Sequence, residues 1–238
     1  MKKEMFASCF LFCFLFVHSE IAFAVERVVL TSVPTDRGDM RIYLMADKKS
    51  WMDYENFMIQ VGEHGQEVLY RFPDWYHGKY DPALYYVDIS GDKRKDIVVE
   101  LNNDRAGWGN PIRDIHILNQ LHDLQFKKMP MVPMTTALNR LAKVEQKGKV
   151  VTVLAGKKRH RIDVSKQHFV NPRKPYFNVE TMEYAIKDGT LTGIAAVSVV
   201  RDDAVYGGLL GHVKIKYGWD GSKYDATSIT FKLAVFEE

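Results

Sequence analysis

Cysteine is almost absent from this chain. Only Cys9 and Cys13 occur among its 238 residues, and both lie in an apolar segment near the N-terminus. The rest of the chain therefore has no thiol, which excludes a disulfide framework, a cysteine metal ligand and a cysteine nucleophile there. A stretch of about 210 residues can bury enough apolar surface to fold without such cross-links. We therefore expect a single domain over residues 25–238.

A hydrophobic run long enough to cross a membrane is also missing. The apolar run at residues 6–17 is about a dozen residues long, whereas a spanning helix needs about 20. Two lysines precede this run, and an Ala-Phe-Ala triplet ends at residue 24. This order predicts a cleavable signal peptide over residues 1–24, a secreted or cell-surface location and no transmembrane anchor. A buried N-terminal helix is the alternative interpretation.

The signatures of common enzyme classes are missing as well. The chain has no His-Glu-x-x-His motif, no Gly-x-Ser-x-Gly motif and no glycine-rich phosphate loop before a helix. Four histidines are too widely spaced to form a metal-site pattern: His116, His122, His160 and His212. Catalytic groups can also be dispersed along a β domain without forming a local motif. An extracellular hydrolase is therefore the alternative to a protein that only binds.

Short β-branched and aromatic runs between turn residues make up most of what is present. They predict strands at residues 28–32, 40–45, 56–61, 67–72, 84–87, 97–101, 112–118, 150–154, 159–164, 182–187, 191–200, 209–217 and 227–234. One short helix is predicted over residues 137–142, with Thr135 or Thr136 as its N-cap. The pattern predicts a mainly β fold of antiparallel hairpins, in a sandwich or partial-propeller-like arrangement with at most one or two short helices.

Charge is unevenly distributed along the chain. Residues 25–126 contain 12 Lys and Arg against 17 Asp and Glu, whereas residues 127–238 contain 19 against 11, which suggests an acidic and a basic lobe. The basic excess is concentrated in residues 127–174 and includes a dense group: Lys157, Lys158, Arg159 and Arg161. Such a group attracts anions over about 10 Å at 0.1 M salt. A solvated hairpin without a ligand is the alternative.

An acidic loop lies between two of the predicted strands. Its oxygen-bearing side chains occupy positions 1, 3, 5 and 9: Asp88, Ser90, Asp92 and Asp96. Oxygen ligands at such intervals can surround a hard cation such as Ca²⁺. The alternative is a tight turn in which the carboxylates accept backbone hydrogen bonds and Gly91 supplies a permissive backbone angle.

The loop sequence Asp-Ile-Ser-Gly-Asp-Lys-Arg-Lys-Asp resembles the acidic hairpin of FG-GAP/VCBS-type repeats, which occur in secreted β-propeller-like proteins and follow the pattern Asp-x-Asp-Gly-Asp-Gly-x-x-Asp. Two positions differ, because Ser90 replaces the second carboxylate and Lys93 replaces the second glycine. The lost carboxylate and the added cation oppose a divalent ion. We therefore expect any bound Ca²⁺ to be weak and structural.

A second segment ends in Tyr-Gly-Trp-Asp-Gly-Ser-Lys-Tyr at residues 217–224. This form resembles a segment of secreted Gram-positive bacterial proteins that also carry the acidic hairpin. Asp220 and Gly221 predict a two-residue turn between alternating strands, with Trp219 and Tyr224 paired across it.

Aromatic residues are concentrated at Trp75, Tyr76 and Tyr80, with Trp108 further along. Exposed rings of this kind can stack on sugar faces, and the alternative is a small buried core beneath two loops. The sequence as a whole predicts an exported binding or structural module at the cell surface or in the medium. Its expected partner is an anionic cell-wall polymer or a polysaccharide, and no specific nucleic acid is expected.

Overall fold

The chain folds mainly into antiparallel strands, as a computed structural model shows. The model describes residues 26–63, 65–78, 80–103, 112–123, 125–166, 173–201 and 204–234. Within those residues, no helix combines the length and the apolar composition that crossing a membrane requires. The predicted signal peptide and Trp108 lie outside them.

The elements follow one another closely along the chain. The first eight strands are β1 (Glu26–Pro34), β2 (Arg41–Lys48), β3 (Tyr54–Val61), β4 (Val68–His77), β5 (Ala83–Val87), β6 (Asp96–Asn103), β7 (Ile112–His122) and β8 (Gln125–Met129). Helix α1 (Met134–Leu141) comes next. The remaining strands are β9 (Ala142–Lys147), β10 (Val150–Ala155), β11 (Lys158–Asp163), β12 (Arg173–Lys187), β13 (Thr190–Arg201), β14 (Ala204–Trp219) and β15 (Tyr224–Leu233), and a 3₁₀ turn, Val164–Lys166, follows β11.

Consecutive strands pair with each other to form four antiparallel sheets. Their strand orders are β1-β2-β3-β4, β5-β6-β7-β8, β11-β10-β9 and β12-β13-β14-β15. The strands of each sheet therefore follow one another in chain order, as in a simple meander. The prediction of a mainly β fold built from antiparallel hairpins is confirmed.

Two strands, β8 and β9, were not predicted from the sequence. Both lie at the edge of a sheet, and β8 buries only the side chain of Phe126 among mostly exposed neighbours. β9 alternates half-buried residues with exposed charged ones. Their strand conformation depends on hydrogen bonding to β7 and β10, which a local apolar pattern does not reveal.

Helix α1 forms where the sequence predicts a helix, but its start differs. It begins at Met134 after Pro133, whose carbonyl accepts the Ala137 N–H at 3.0 Å, and no side chain caps it. The prediction that Thr135 or Thr136 is the N-cap is therefore wrong, because both lie in the first turn. Pro133 is itself the N-cap residue, with an extended backbone of φ −56° and ψ 146°.

Two hydrophobic clusters share the sheet β5–β8. The first cluster joins β2, β3 and β4 to one face of that sheet, including Ile97 and Leu101. The second joins α1 and strands β10 to β15 to the opposite face, where Val98 lies. Successive residues of a strand point to opposite faces. β6 is therefore buried on both sides and links the two halves of the chain.

The β14–β15 hairpin matches its prediction in pairing but not in loop length. Trp219 pairs with Tyr224, and their ring centroids lie 5.1 Å apart. The four residues 220–223 form the loop, and Asp220 accepts the N–H groups of Ser222 and Lys223 at 2.8 and 2.9 Å. The predicted two-residue turn is therefore wrong, because the side chain of Asp220 closes a longer turn.

Candidate functional site

The acidic loop, residues 88–96, is a turn held together by its own carboxylates. Asp88 accepts the N–H groups of Gly91 at 2.7 Å and Lys93 at 2.9 Å, and its neighbour Ser90 donates to it at 3.4 Å. Asp92 accepts the N–H of Arg94 at 2.9 Å and also pairs with the guanidinium of that residue. We call residues 88–96 the acidic turn.

Asp96 anchors the acidic turn to the sheet. Its carboxylate is fully buried and accepts N–H groups from Ile89, Ser90 and Gln120 at 3.0 to 3.2 Å. Burial raises the pKa of Asp96, while the three N–H bonds oppose that rise. Asp96 therefore fixes the position of the acidic turn relative to strands β6 and β7.

The predicted Ca²⁺ ligands, Asp88, Ser90, Asp92 and Asp96, all belong to the acidic turn. Each of the three carboxylates already accepts N–H groups. Among the described residues, no group of three or more His, Cys, Asp and Glu side chains is arranged to hold a metal ion. Ca²⁺ binding at this turn stays a prediction.

The four predicted anion-binding residues lie together on the β10–β11 hairpin. Lys157 is in its turn, whereas Lys158, Arg159 and Arg161 are on β11, and all four side chains are exposed. β11 is an edge strand of its sheet. Its buried residue Ile162 faces the second cluster, so the side chains of Arg159 and Arg161 point away from that core.

The neighbouring strands extend this charge. The register places Lys143 of β9 and Arg159 of β11 on either side of Leu154, so their side chains share one face. Over residues 142–163, seven Lys and Arg stand against two acidic residues. We call the exposed cationic side chains of β9–β11 and their turns the basic face. Six of them extend from the turns or from the outer side of the sheet: Lys143, Lys147, Lys149, Lys157, Arg159 and Arg161. The seventh, Lys158, is exposed at the end of the hairpin, where it pairs with buried Ala155.

One acidic residue lies within the basic face. Glu145 forms an ion pair with Lys143. The hydrogen bond from Lys143 lowers the pKa of Glu145, and the positive charge of Arg159 adds to the effect. Glu145 therefore stays ionised and offsets part of the positive charge, which leaves the surface net cationic.

The aromatic group divides between a core and the surface. Trp75 is only 4 % exposed and stacks between Phe72 and His116, with centroid distances of 3.9 Å on both sides. Lys128 places its ammonium 5.2 Å from the Trp75 ring centroid. Burial in this stack lowers the pKa of His116 to about 3, and the charge of Lys128 acts in the same direction. Tyr80, at 69 % exposure, is available at the surface.

The other candidate histidines occupy unrelated places. His160 packs edge-on against Phe231, at a centroid distance of 5.1 Å. His212 is exposed on β14, and His122 ends β7. The described structure therefore does not gather these three side chains and His116 into one site.

A methionine-lined cavity was not found from the sequence. It has a volume of about 180 Å³ and lies between β7, β12 and the start of α1, with Met131, Met134 and Met182 in its wall. Arg113 also lines it and pairs with the buried carboxylate of Glu100 on β6. These residues are far apart in sequence, and no local motif connects them.

Compared with known proteins, the chain matches no protein-family model, and it has no significant match among curated proteins or solved structures.

Proposed function

We propose that this chain is an exported binding protein that holds an anionic polymer of the cell surface on its basic face. The observation that supports the proposal most strongly is the exposure of seven cationic side chains on one three-stranded sheet and its turns, within residues 142–163. The opposite side of that sheet packs on the second cluster through residues such as Val151 and Val153. The charged side is thereby held in a fixed arrangement.

A repeating polymer suits such a surface better than one small anion. A single exposed ion pair contributes only about 0–1 kcal/mol, so one contact gives little affinity. Side chains on one face of a strand recur about every 7 Å, and adjacent strands lie about 4.8 Å apart. A flexible polyanion can engage several of these charges at once, and the small contributions then add.

Export is the part of the proposal that depends on the predicted signal peptide. Outside the cell, anionic polymers of the wall and acidic polysaccharides are the abundant partners that a basic surface meets. Weak structural Ca²⁺ at the acidic turn, and a relation to FG-GAP/VCBS-type secreted proteins, are consistent with that location. Both stay part of the proposal.

Co-sedimentation with insoluble anionic wall material tests the proposal. The test variant replaces Lys157, Lys158, Arg159 and Arg161 with Gln. The matched control replaces four exposed cations on other sheets, so that the net charge falls equally: Arg71, Lys127, Lys214 and Lys216. We expect the test variant to lose most of its binding at low salt, whereas the control retains it. Binding of the native chain should weaken as salt rises, because exposed charges are screened.

Three results would contradict this assignment of the basic face: full binding by the test variant, equal loss in both variants, or binding that is independent of salt. The same assay tests the alternative that the chain is an extracellular hydrolase. A binding protein leaves the wall material intact, whereas a hydrolase releases soluble fragments into the supernatant over time. Fragment release by the native chain would replace the binding proposal with the enzymatic one.

A further inference from the structure

A polar cleft opens where three hairpin connections meet, away from the basic face. The connections are the β1–β2 loop at residues 35–40, the acidic turn and the end of β7 at residues 122–123. They enclose about 450 Å³ of space that is open to solvent. A volume of this order accommodates a small ligand. No local sequence pattern indicates this cleft, because its walls come from three separate parts of the chain.

Cations dominate the cleft wall. Arg37 contributes from the β1–β2 loop, and the acidic turn contributes Lys93, Arg94 and Lys95. The carboxylates of the turn point back to its own N–H groups, so its cationic side chains face the cleft. The loop that resembles a Ca²⁺-binding hairpin therefore presents positive charge here.

Three of these four cations form ion pairs, and the fourth is Lys93. Lys95 pairs with Asp36, Arg94 pairs with Asp92 at 2.6 Å, and Arg37 lies 3.9 Å from Asp123. In the described part of the chain, no acidic side chain lies within ion-pair distance of the Lys93 ammonium. Four cations and two carboxylates line the cleft, so its wall is net positive and suits a ligand with a negative group.

Lys93 occupies a backbone position that favours glycine. Its φ is +72°, in the left-handed region. The repeats that the turn resembles have glycine at this position. A residue with a side chain is less favourable than glycine in this region. The lysine therefore carries a conformational cost and places a cation at the mouth of the cleft.

The remaining lining is rich in hydrogen-bonding groups. Gln120 supplies an amide, and Asp36 and Asp123 supply carboxylate oxygens, whereas the Thr35 hydroxyl already bonds to the carbonyls of Arg37 and Met40. Tyr86 also lines the cleft, and the Lys95 ammonium lies 5.4 Å from its ring centroid. Acceptors next to cations suit a ligand that carries hydroxyl groups beside its negative charge.

We propose that this cleft binds a small polyol or sugar unit that bears one negatively charged group, a phosphate or a carboxylate. The anion contacts the ammonium of Lys93, the one lining cation that lies outside the ion pairs among the described residues. The hydroxyl groups of the ligand bond to the carboxylates and the amide. This site uses different strands from the basic face and does not depend on it.

Isothermal titration of the full chain tests the cleft with four probes: glycerol 3-phosphate, glucuronate, glycerol and glucose. We expect saturable binding of at least one anionic probe and none of the neutral ones at the same millimolar concentrations. The anionic probe that binds with the higher affinity shows whether phosphate or carboxylate is the recognised group. The test variant is Lys93→Gly, and the control is Lys214→Gln, which removes an exposed lysine of β14 outside both the cleft and the basic face.

We expect Lys93→Gly to weaken anion binding roughly tenfold, as the loss of a charged hydrogen bond does. Its melting temperature should not fall, because glycine suits the left-handed backbone better than lysine does. Lys214→Gln should bind the probes like the native chain. Unchanged affinity in Lys93→Gly, equal binding of neutral and anionic probes, or no binding of any probe would overturn the proposal.

Different variants test the two proposals, so that one proposal can be contradicted while the other holds. The fourfold Gln variant of the basic face should still bind the small anion, and Lys93→Gly should still sediment with wall material. Loss of both activities in either variant would show that the cleft and the basic face are one site, and would overturn the assignment of a separate ligand to the cleft.

Discussion

His116 lies in a stack of flat rings whose packing excludes its charged form. Trp75 covers one face of the imidazole at an interplanar angle of 8°, and the Lys128 ammonium lies 5.2 Å from the centroid of the same indole ring. Adding a proton to the imidazole would place a second positive charge beside Lys128 with little water to solvate it. Folding therefore favours neutral His116.

This preference predicts a pH-dependent stability. In the folded state the pKa of His116 is about 3, against an ordinary value of 6.5. Between these values the unfolded chain binds a proton that the folded chain does not, so stability falls as pH drops from 6.5 towards 3. At pH 4.5 we expect His116 to cost about 2–3 kcal/mol relative to pH 7.5.

The variant His116→Phe isolates this effect, because phenylalanine can stack on Trp75 but does not titrate. Urea unfolding of both proteins at pH 7.5 and pH 4.5 gives the change in free energy of unfolding for each. We expect the native chain to lose more stability than His116→Phe over this interval. An equal loss in both would show that other groups account for the acid sensitivity.

At the scale of elements, the acidic turn shows how side chains determine a connection. Asp88 accepts N–H groups within the turn, whereas Asp96 joins the turn to β7 through the N–H of Gln120. Gly91, at φ +81°, adopts the left-handed backbone that the tight bend requires. The turn is therefore complete without a metal ion, and any Ca²⁺ adds to a structure that already exists.

A melting experiment with calcium tests how much such an ion contributes. The weakest extracellular calcium sites have Kd values near 1 mM, and at that concentration of free ion the stabilisation is about 0.4 kcal/mol. We expect millimolar Ca²⁺ to raise the melting temperature by about 1–2 °C relative to EDTA. Asp92→Asn should abolish this rise, because it removes one negative charge from the turn.

The control for the calcium experiment is Mg²⁺ at the same concentration, which separates specific coordination from general screening. No response of the native chain to Ca²⁺ would show that the acidic turn is held by hydrogen bonds alone. An equal response in Asp92→Asn would place the ion elsewhere in the molecule.

At the scale of the whole molecule, the sheet β5–β8 connects two cores. One face packs on the first cluster through Leu101, and the other packs on the second cluster through Ile117. Tyr224 adds a connection, because its buried hydroxyl donates to Asn119 of β7 at 2.7 Å. Unfolding one half would expose one face of this shared sheet.

The shared sheet predicts that the described strands unfold in one cooperative transition. Leu44→Ala in the first cluster and Ile215→Ala in the second should each cost about 2–5 kcal/mol, because both side chains are fully buried. Each substitution should destabilise the whole molecule. Hydrogen exchange with mass spectrometry on peptides from β2 and from β14 measures the effect at both ends.

If the described strands unfold as a single unit, each variant should speed hydrogen exchange in both peptides to a similar extent. Leu121→Ala is the control, because this side chain is 41 % exposed and its truncation should leave exchange nearly unchanged. Faster exchange confined to the peptide nearest the substitution would show two independently folding halves, matching the acidic and basic lobes of the sequence.

Local patterns in the sequence determined most of the strands and the single helix. Alternating apolar residues such as Ile42, Leu44 and Ala46 define a strand with one buried face, and this local signal needs no tertiary information. The exposure of the β10–β11 cations also follows locally, since so many adjacent charges cannot be buried together. The mainly β class and the basic hairpin were therefore predictable.

Only the tertiary structure decided which residues meet across long sequence separations. Edge strands such as β8 form because a neighbouring strand offers hydrogen bonds, and the stack of Trp75 on His116 joins residues 41 positions apart. The cleft likewise combines Arg37 with Lys93 and Asp123, each from a different hairpin connection. Such contacts depend on how sheets pack on each other, which a local sequence pattern does not specify.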